Sequence, residues 1–221
     1  MIAKNLISYS IPMLRTSDSG SLALNMMETY RVSHIPIVNN NEFLGLISDS
    51  DIYDLQMPDE PIGNHNLSLF KPYVMFNQHI YEVIELVSRL KLTVVPVLNE
   101  KKEYLGVITQ TDLLHQVANL MAMSNKGGII VLELNLNDYS LSEISRIVES
   151  NDTKILSLYI KTSDVSTRIE LTIKTNRIDL SPVIQSFERY NYVIKTSFLH
   201  KSEITDMYLD RLEEFIRYLE V

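Results

Sequence analysis

Cysteine and tryptophan are both missing from the 221 residues of this chain. Without thiols there is no disulfide framework, no thiolate nucleophile and no cysteine-ligated metal. Glycine (6) and proline (7) are scarce, which excludes a fibrous or low-complexity protein. Positive charge is also short: 20 Lys and Arg stand against 28 Asp and Glu, a formal net charge of −8. A nucleic-acid face needs a basic stripe to displace phosphate counterions, so none is expected. That sign does not exclude one nucleotide in a pocket, where two or three local groups are enough. No apolar run reaches the roughly 18 residues that span a bilayer, so no membrane partner is expected. Met1-Ile2-Ala3-Lys4-Asn5 does not lead into the apolar core of a signal peptide, and a cytoplasmic protein is the expectation.

What is present is an internal repeat. His34-Ile35-Pro36-Ile37-Val38 is followed by Phe43-Leu44-Gly45-Leu46-Ile47-Ser48-Asp49-Ser50-Asp51. Val94-Val95-Pro96-Val97-Leu98 is followed by Tyr104-Leu105-Gly106-Val107-Ile108-Thr109-Gln110-Thr111-Asp112. The prolines are 60 apart and the glycines 61 apart, so the second turn carries one extra residue. Ahead of each strand pair, apolar residues recur at helical spacing: Leu22, Ala23, Met26, Met27 and Tyr30, then Ile80, Val83, Ile84, Val87 and Leu90. The polar turns Asn39–Glu42 and Asn99–Glu103 make each strand pair a hairpin. Each unit then reads strand–helix–strand–strand–helix, with leading strands near 13–16 and 73–76. Asp51 and Asp112 stand where the closing helices begin. One such unit cannot cover both sides of its small sheet, and two packed together can.

The doubled apolar-Pro-apolar strand and Gly-x-x-Ser/Thr-x-x-Asp element resemble the cystathionine-β-synthase (CBS) domain, whose tandem pair is called a Bateman module. The resemblance covers residues 1–123, divided as repeat 1 over 1–58 and repeat 2 over 59–124. It implies a non-catalytic regulatory module that binds AMP, ADP, ATP or S-adenosylmethionine between the repeats. By position in the motif, Asp51 and Asp112 would hydrogen-bond ribose hydroxyls, and Ser48 and Thr109 would contact phosphate or ribose oxygens. Backbone groups near Ile35-Pro36 and Val95-Pro96 would line the adenine slot. His34 sits where some members place a phosphate-binding arginine, while its counterpart Val94 is apolar, which favours the first motif as the anion site. The chemistry suits the task, because a carboxylate accepts both hydrogen bonds of a vicinal diol and a helix N-terminus favours phosphate. Two plainer roles stay open. An Asp at a helix start stabilises the helix by about 1 kcal/mol whatever else it does, and His34 fits an exposed strand edge.

Beyond Gly127-Gly128 the pattern restarts. A β-branched run over 129–136 is followed by a helix headed by Ser140, a strand over 155–160 and an alternating strand over 168–174. Ser181-Pro182 opens a second helix, with Pro at the first helical position, and a strand over 192–199 closes the set. The order βαββαβ over 127–221 is that of a ferredoxin-like sandwich, so the chain as a whole is α+β / α/β. This stretch is similar to an ACT domain, and the CBS–CBS–ACT order resembles the AcuB-type acetoin-utilisation proteins. ACT domains that bind amino acids usually carry glycine in the loop after the first strand. Here that loop is Asn137-Asp138-Tyr139-Ser140, so a dimerisation or coupling role is expected, with a homodimer and a separate regulated protein as partners. An amphipathic helix is expected over 202–221.

No catalytic or metal constellation emerges. The histidines at 34, 65, 79, 115 and 200 form no zinc-hydrolase pair. Asp49, Asp51 and Asp54 lack the glycine and closing glutamate of an EF-hand loop. The rival to a sensor is a dimerisation scaffold with no small-molecule ligand.

Overall fold

The computed structural model describes residues 1–65, 69–163 and 166–198. The expected tail helix over 202–221 lies outside the described residues. The chain divides into two compact units, Met1–Gln116 and Val117–Val221.

In the first unit, repeat 1 holds α1 (Gly20–Tyr30), the antiparallel hairpin β1 (His34–Asn39) and β2 (Glu42–Ser48), and α2 (Asp49–Tyr53). Repeat 2 holds β3 (Val74–Met75), α3 (Ile80–Leu90), the hairpin β4 (Val94–Leu98) and β5 (Tyr104–Thr109), and the start of α4 (Gln110–Leu120), a helix that runs past the end of the unit at Gln116. The helices form where the 3.6-residue periodicity places them. Their buried face is narrower in α1, where Ala23 and Met27 are buried while Leu22 and Tyr30 are about 40% exposed. In α3, Ile80, Val83 and Val87 are all buried. Both helices end on a left-handed residue, Arg31 and Lys91. Both hairpins shift register in their first strand, at Ile37/Val38 and Val97/Leu98.

The leading strand expected at 13–16 is reduced to one parallel bridge, Leu14 to Ile37. Leu14 N–H donates to Pro36 O (2.9 Å) and Val38 N–H to Leu14 O (2.8 Å). One step further, the Asn39 side chain takes the place of the ladder: its Oδ1 accepts from Thr16 N–H (3.3 Å) and its Nδ2 donates to Thr16 Oγ1 (2.9 Å). In α4, Leu113 is the only fully buried position, and Leu114 is 69% exposed.

The ends of the repeats are exchanged. Residues Ala3–Leu6 form a 3₁₀ turn whose Ala3 and Lys4 N–H groups donate to Gln78 O and Phe76 O, and Ser8 N–H donates to Val107 O. Phe70, in the N-terminal segment of repeat 2, accepts from Leu46 N–H on β2. Leu46 and Val107 are equivalent positions, so each hairpin takes its outer bridge from the N-terminal segment of the other repeat.

The second unit holds β6 (Ile129–Asn135), α5 (Leu141–Glu149), β7 (Ile155–Ser163), β8 (Ser166–Thr175), α6 (Ser181–Arg189) and β9 (Val193–Phe198). Its sheet runs β7-β8-β6-β9 with every neighbouring pair antiparallel, which is the ferredoxin-like order. Alternation on the strands turns Ile130 and Leu132 of β6, and Leu171 and Ile173 of β8, into a core shared with Ile144, Ile147, Val183 and Phe187 of the helices. Ser140 caps α5 through Glu143 N–H (3.4 Å). The helix α6 begins on Ser181, so Pro182 takes the second helical position and not the first. Among the described residues no helix is long and apolar enough to cross a membrane.

Candidate functional site

The two Gly-x-x-Ser/Thr-x-x-Asp elements fold alike. Ser48 is the N-cap of α2 and Asp51 its third residue, joined in a reciprocal capping box. Ser48 Oγ accepts from Asp51 N–H (3.1 Å), while Asp51 Oδ2 accepts from Ser48 N–H (2.8 Å) and from the Ser48 hydroxyl (2.7 Å). In repeat 2, Thr109 Oγ1 accepts from Asp112 N–H (3.0 Å) and donates to Asp112 Oδ2 (2.7 Å). The sequence pattern predicts each Asp at the start of its helix. The structure keeps it in the first turn, at the third helical position, because the hydroxyl three residues earlier is the cap. In both motifs the bonds fall on Oδ2, and Oδ1 has no hydrogen-bond partner among the described residues. Each carboxylate is thus held rigidly by one oxygen and keeps the lone pairs of the other.

The repeats meet through equivalent positions. Ser33 N–H donates to Thr93 Oγ1 (3.0 Å), and these residues are 60 apart, the offset of the repeat itself. At the far end of the hairpins Glu42 bridges Glu103, 61 apart, beside a bond from Tyr104 N–H to Asn41 O (2.9 Å). Contacts between positions related by the repeat offset are the mark of a local two-fold axis running between the hairpins.

His34 breaks that symmetry. Its Nδ1 lies 3.1 Å from Thr93 Oγ1 and 3.4 Å from Thr93 N. The Thr93 N–H can only donate, and it is directed at this same nitrogen. Nδ1 is therefore an acceptor, and the neutral ring carries its proton on Nε2. Burial lowers the His34 pKa below the ordinary histidine value, against the opposing pull of Asp49 and Asp51. The sequence allows His34 to be an anion contact or an exposed strand edge. It is half-buried and committed to the other repeat. Thr93 and Ser33 lie outside the repeated motif, although aligning the copies at an offset of 60 places them opposite each other.

Ile35, Pro36, Val95 and Pro96 are all buried in β1 and β4. The Pro36 carbonyl is occupied by Leu14 N–H. A cavity of about 490 Å³ lies beside the first motif, lined by Met27, Glu28, Arg31, Ser33, Asp49 and Tyr53 among others. It brings Asp49 and Ser33 together, and Asp51 and Asp112 are not among its lining residues. In the second unit a cavity of about 450 Å³ borders Glu133, Asp138, Glu143, Arg168, Tyr190 and Tyr192. There the Tyr192 hydroxyl donates to Glu143 Oε2 (2.9 Å), and burial together with that carboxylate pushes its pKa up to about 12. Among the described residues no group of three or more His, Asp or Glu side chains could hold a metal ion.

Against known proteins, the model of the CBS domain family matches residues 3–57 and 70–119. Inosine-5'-monophosphate dehydrogenase of Methanocaldococcus jannaschii is 22% identical over 153 residues, 68% of this chain. The chain spans 29% of the length of that relative. A CBS domain pair/ACT domain protein from Thermotoga maritima is similar in structure at a TM-score of 0.48 and 22% identity, over 54% of this chain and 98% of its own. CBSX2 in complex with AMP is similar at a TM-score of 0.45 and 16% identity, over 53% of this chain and 96% of its own.

Proposed function

Starting from a chain whose first unit carries a tandem pair of CBS domains, we propose that it is a non-catalytic regulatory module that senses an adenine nucleotide (AMP, ADP or ATP) or S-adenosylmethionine between its two repeats. The observation that carries this reading is the pair of motif carboxylates, Asp51 and Asp112, each fixed by its Oδ2 and open at its Oδ1. An acceptor already held in place by its own helix cap loses little freedom when a ribose diol arrives. Ser48 and Thr109 stand next to these carboxylates and serve the ribose or phosphate oxygens. Ile35-Pro36 and Val95-Pro96 form the apolar strands behind the base. His34, through Thr93, ties the occupancy of one repeat to the position of the other.

To act as a signal the ligand must favour one arrangement of the repeats, and tenfold discrimination needs about 1.4 kcal/mol. The second unit, read as an ACT-like domain in an AcuB-type order, is the dimerisation or coupling element. It passes the change to a second copy of the chain or to a separate protein in the cytoplasm. The likeness to a dehydrogenase, over 29% of that enzyme's length, brings no catalytic role with it.

Thermal unfolding of the full chain with AMP, ADP, ATP and S-adenosylmethionine tests the reading. A ligand at 100 times its dissociation constant stabilises the folded state by about 2.7 kcal/mol. The double variant Asp51→Asn/Asp112→Asn keeps a capping oxygen at each site and is expected to lose most of that shift. No shift with any of the four ligands would leave a dimerisation scaffold whose cleft stays empty.

A further inference from the structure

Independently of that reading, we infer that the open face of the sheet in the second unit is a docking surface for the chain's own C-terminal segment, residues 199–221, laid over it as a helix. Alternation along the strands gives this sheet two different sides. Ile130, Leu132, Leu171 and Ile173 turn to the side where α5 and α6 pack. Their alternate neighbours turn away from both helices, and the register sets them in rows. Tyr159, Thr172, Val131 and Thr196 form one row, and Lys161, Glu170, Glu133 and Val193 the next. The end of α4 and the turn after it pass over the β7 side of this face. There Ser157 Oγ donates to Met121 O (3.0 Å) and Lys174 Nζ to Gly127 O (3.1 Å). Beyond them Tyr159 (45%), Val193 (62%) and Phe198 (56%) stay exposed around the buried Val131.

Position, reach and charge single out the occupant. Phe198 is the last described residue, and it pairs with Ile129, so the segment that follows starts on this face at its β9 edge. Twenty helical residues reach about 30 Å and four strands measure about 15 Å across, so 202–221 can span the sheet after the turn at 199–201. Ile204, Tyr208, Leu212, Phe215 and Leu219 fall on one stripe at helical spacing, and that stripe needs an apolar surface to rest on. The face carries Lys161, Arg168, Lys174 and Lys195 against Glu133 and Glu170, a net +2 on a chain of net −8. Residues 199–221 carry six carboxylates against three Lys or Arg, a net −3. The tail is therefore attracted to the face. A second copy of the same face would bring like charge against like.

Because the chain has no cysteine, one introduced thiol takes a nitroxide label at a single place. Asp210→Cys puts the label on the polar side of the tail, away from the apolar stripe. In NMR spectra of the isotope-labelled full chain, the nitroxide is expected to broaden the amide signals of Val131, Thr172 and Thr196. Those of Ile144 and Val183, on α5 and α6, are expected to be affected much less. Adding Lys161→Glu and Val193→Glu, both at exposed positions, is expected to abolish the broadening while the thermal transition of the unit stays in place. The inference is overturned if the label leaves Val131, Thr172 and Thr196 untouched, or if their broadening ignores the two Glu exchanges. It is overturned equally if the broadening appears when nitroxide-bearing and isotope-labelled chains are separate molecules in one sample, which would make a second copy the occupant. No nucleotide is present in the experiment, so its outcome is separate from the fate of the regulatory reading.

Discussion

Single side chains carry the difference between the repeats, and His34 shows it most directly. Its ring accepts from Thr93 across the repeat boundary while Asp49 and Asp51 act on it from its own side. Burial is the larger influence, and it depresses the pKa. The folded protein therefore holds His34 neutral at pH values where the unfolded chain takes up a proton. The stability this provides is complete above the ordinary histidine value of 6.5 and declines as pH falls through it toward the folded value. Imidazole chemical shifts followed by NMR are expected to give a midpoint below 6.5 for this residue. Removing the Asp51 charge by Asp51→Asn is expected to move it lower still. At this scale the motif residues were legible in the sequence, since Ser, Thr and Asp at helix starts follow from local hydrogen bonding. The role of Thr93 was not, because it depends on a neighbour 59 residues away.

Hairpins and helices follow local rules more closely. Gly45 and Gly106 both sit in the second strand of their hairpins, at φ of +156° and +147°, where a Cβ is strained. They differ in what a Cβ would meet. At Gly106 it would lie 2.5 Å from the Cγ2 methyl of Ile7, a side-chain atom. At Gly45 it would lie 2.6 Å from Leu69 Cβ and 3.0 Å from the Phe70 carbonyl, which cannot move without the backbone. Both alanine variants are expected to lose stability in urea denaturation, of the order of 2 kcal/mol from backbone strain, with Gly45→Ala the more costly. Helix periodicity located α1, α3, α5 and α6 from sequence, because apolar spacing and capping are written within each segment. It could not show that α2 stops after five residues, a length that local spacing does not specify.

For the whole molecule, the βαββαβ order left only a few ways to build a sheet, and the one observed encloses a core of its own. Ile130, Leu132, Ile147, Leu171 and Phe187 belong to it, whereas Ile35, Ile37 and Ile47 belong to a core in the first unit. Phe187 is fully buried and meets Tyr192 edge-on with ring centroids 5.5 Å apart. Phe187→Ala is expected to cost about 3–5 kcal/mol and Ile37→Ala about 2–5 kcal/mol. Differential scanning calorimetry should show them lowering different transitions, the first that of the C-terminal unit and the second that of the N-terminal one. A single transition lowered equally by both would show that the cores unfold as one.

The amino-acid order alone determined the repeat, its helices and hairpins, the paired acidic motifs and the ferredoxin-like succession, because periodicity, capping and turn chemistry act over a few residues. Tertiary structure decided what crosses between segments. It set the exchange of outer bridges, in which Ser8 joins Val107 and Phe70 joins Leu46, and the Ser33–Thr93 bond near the local two-fold axis. It also withdrew His34 from solvent-facing chemistry. Those outcomes rest on which backbone groups find partners at long range when the hairpins meet, and residue order does not encode them locally.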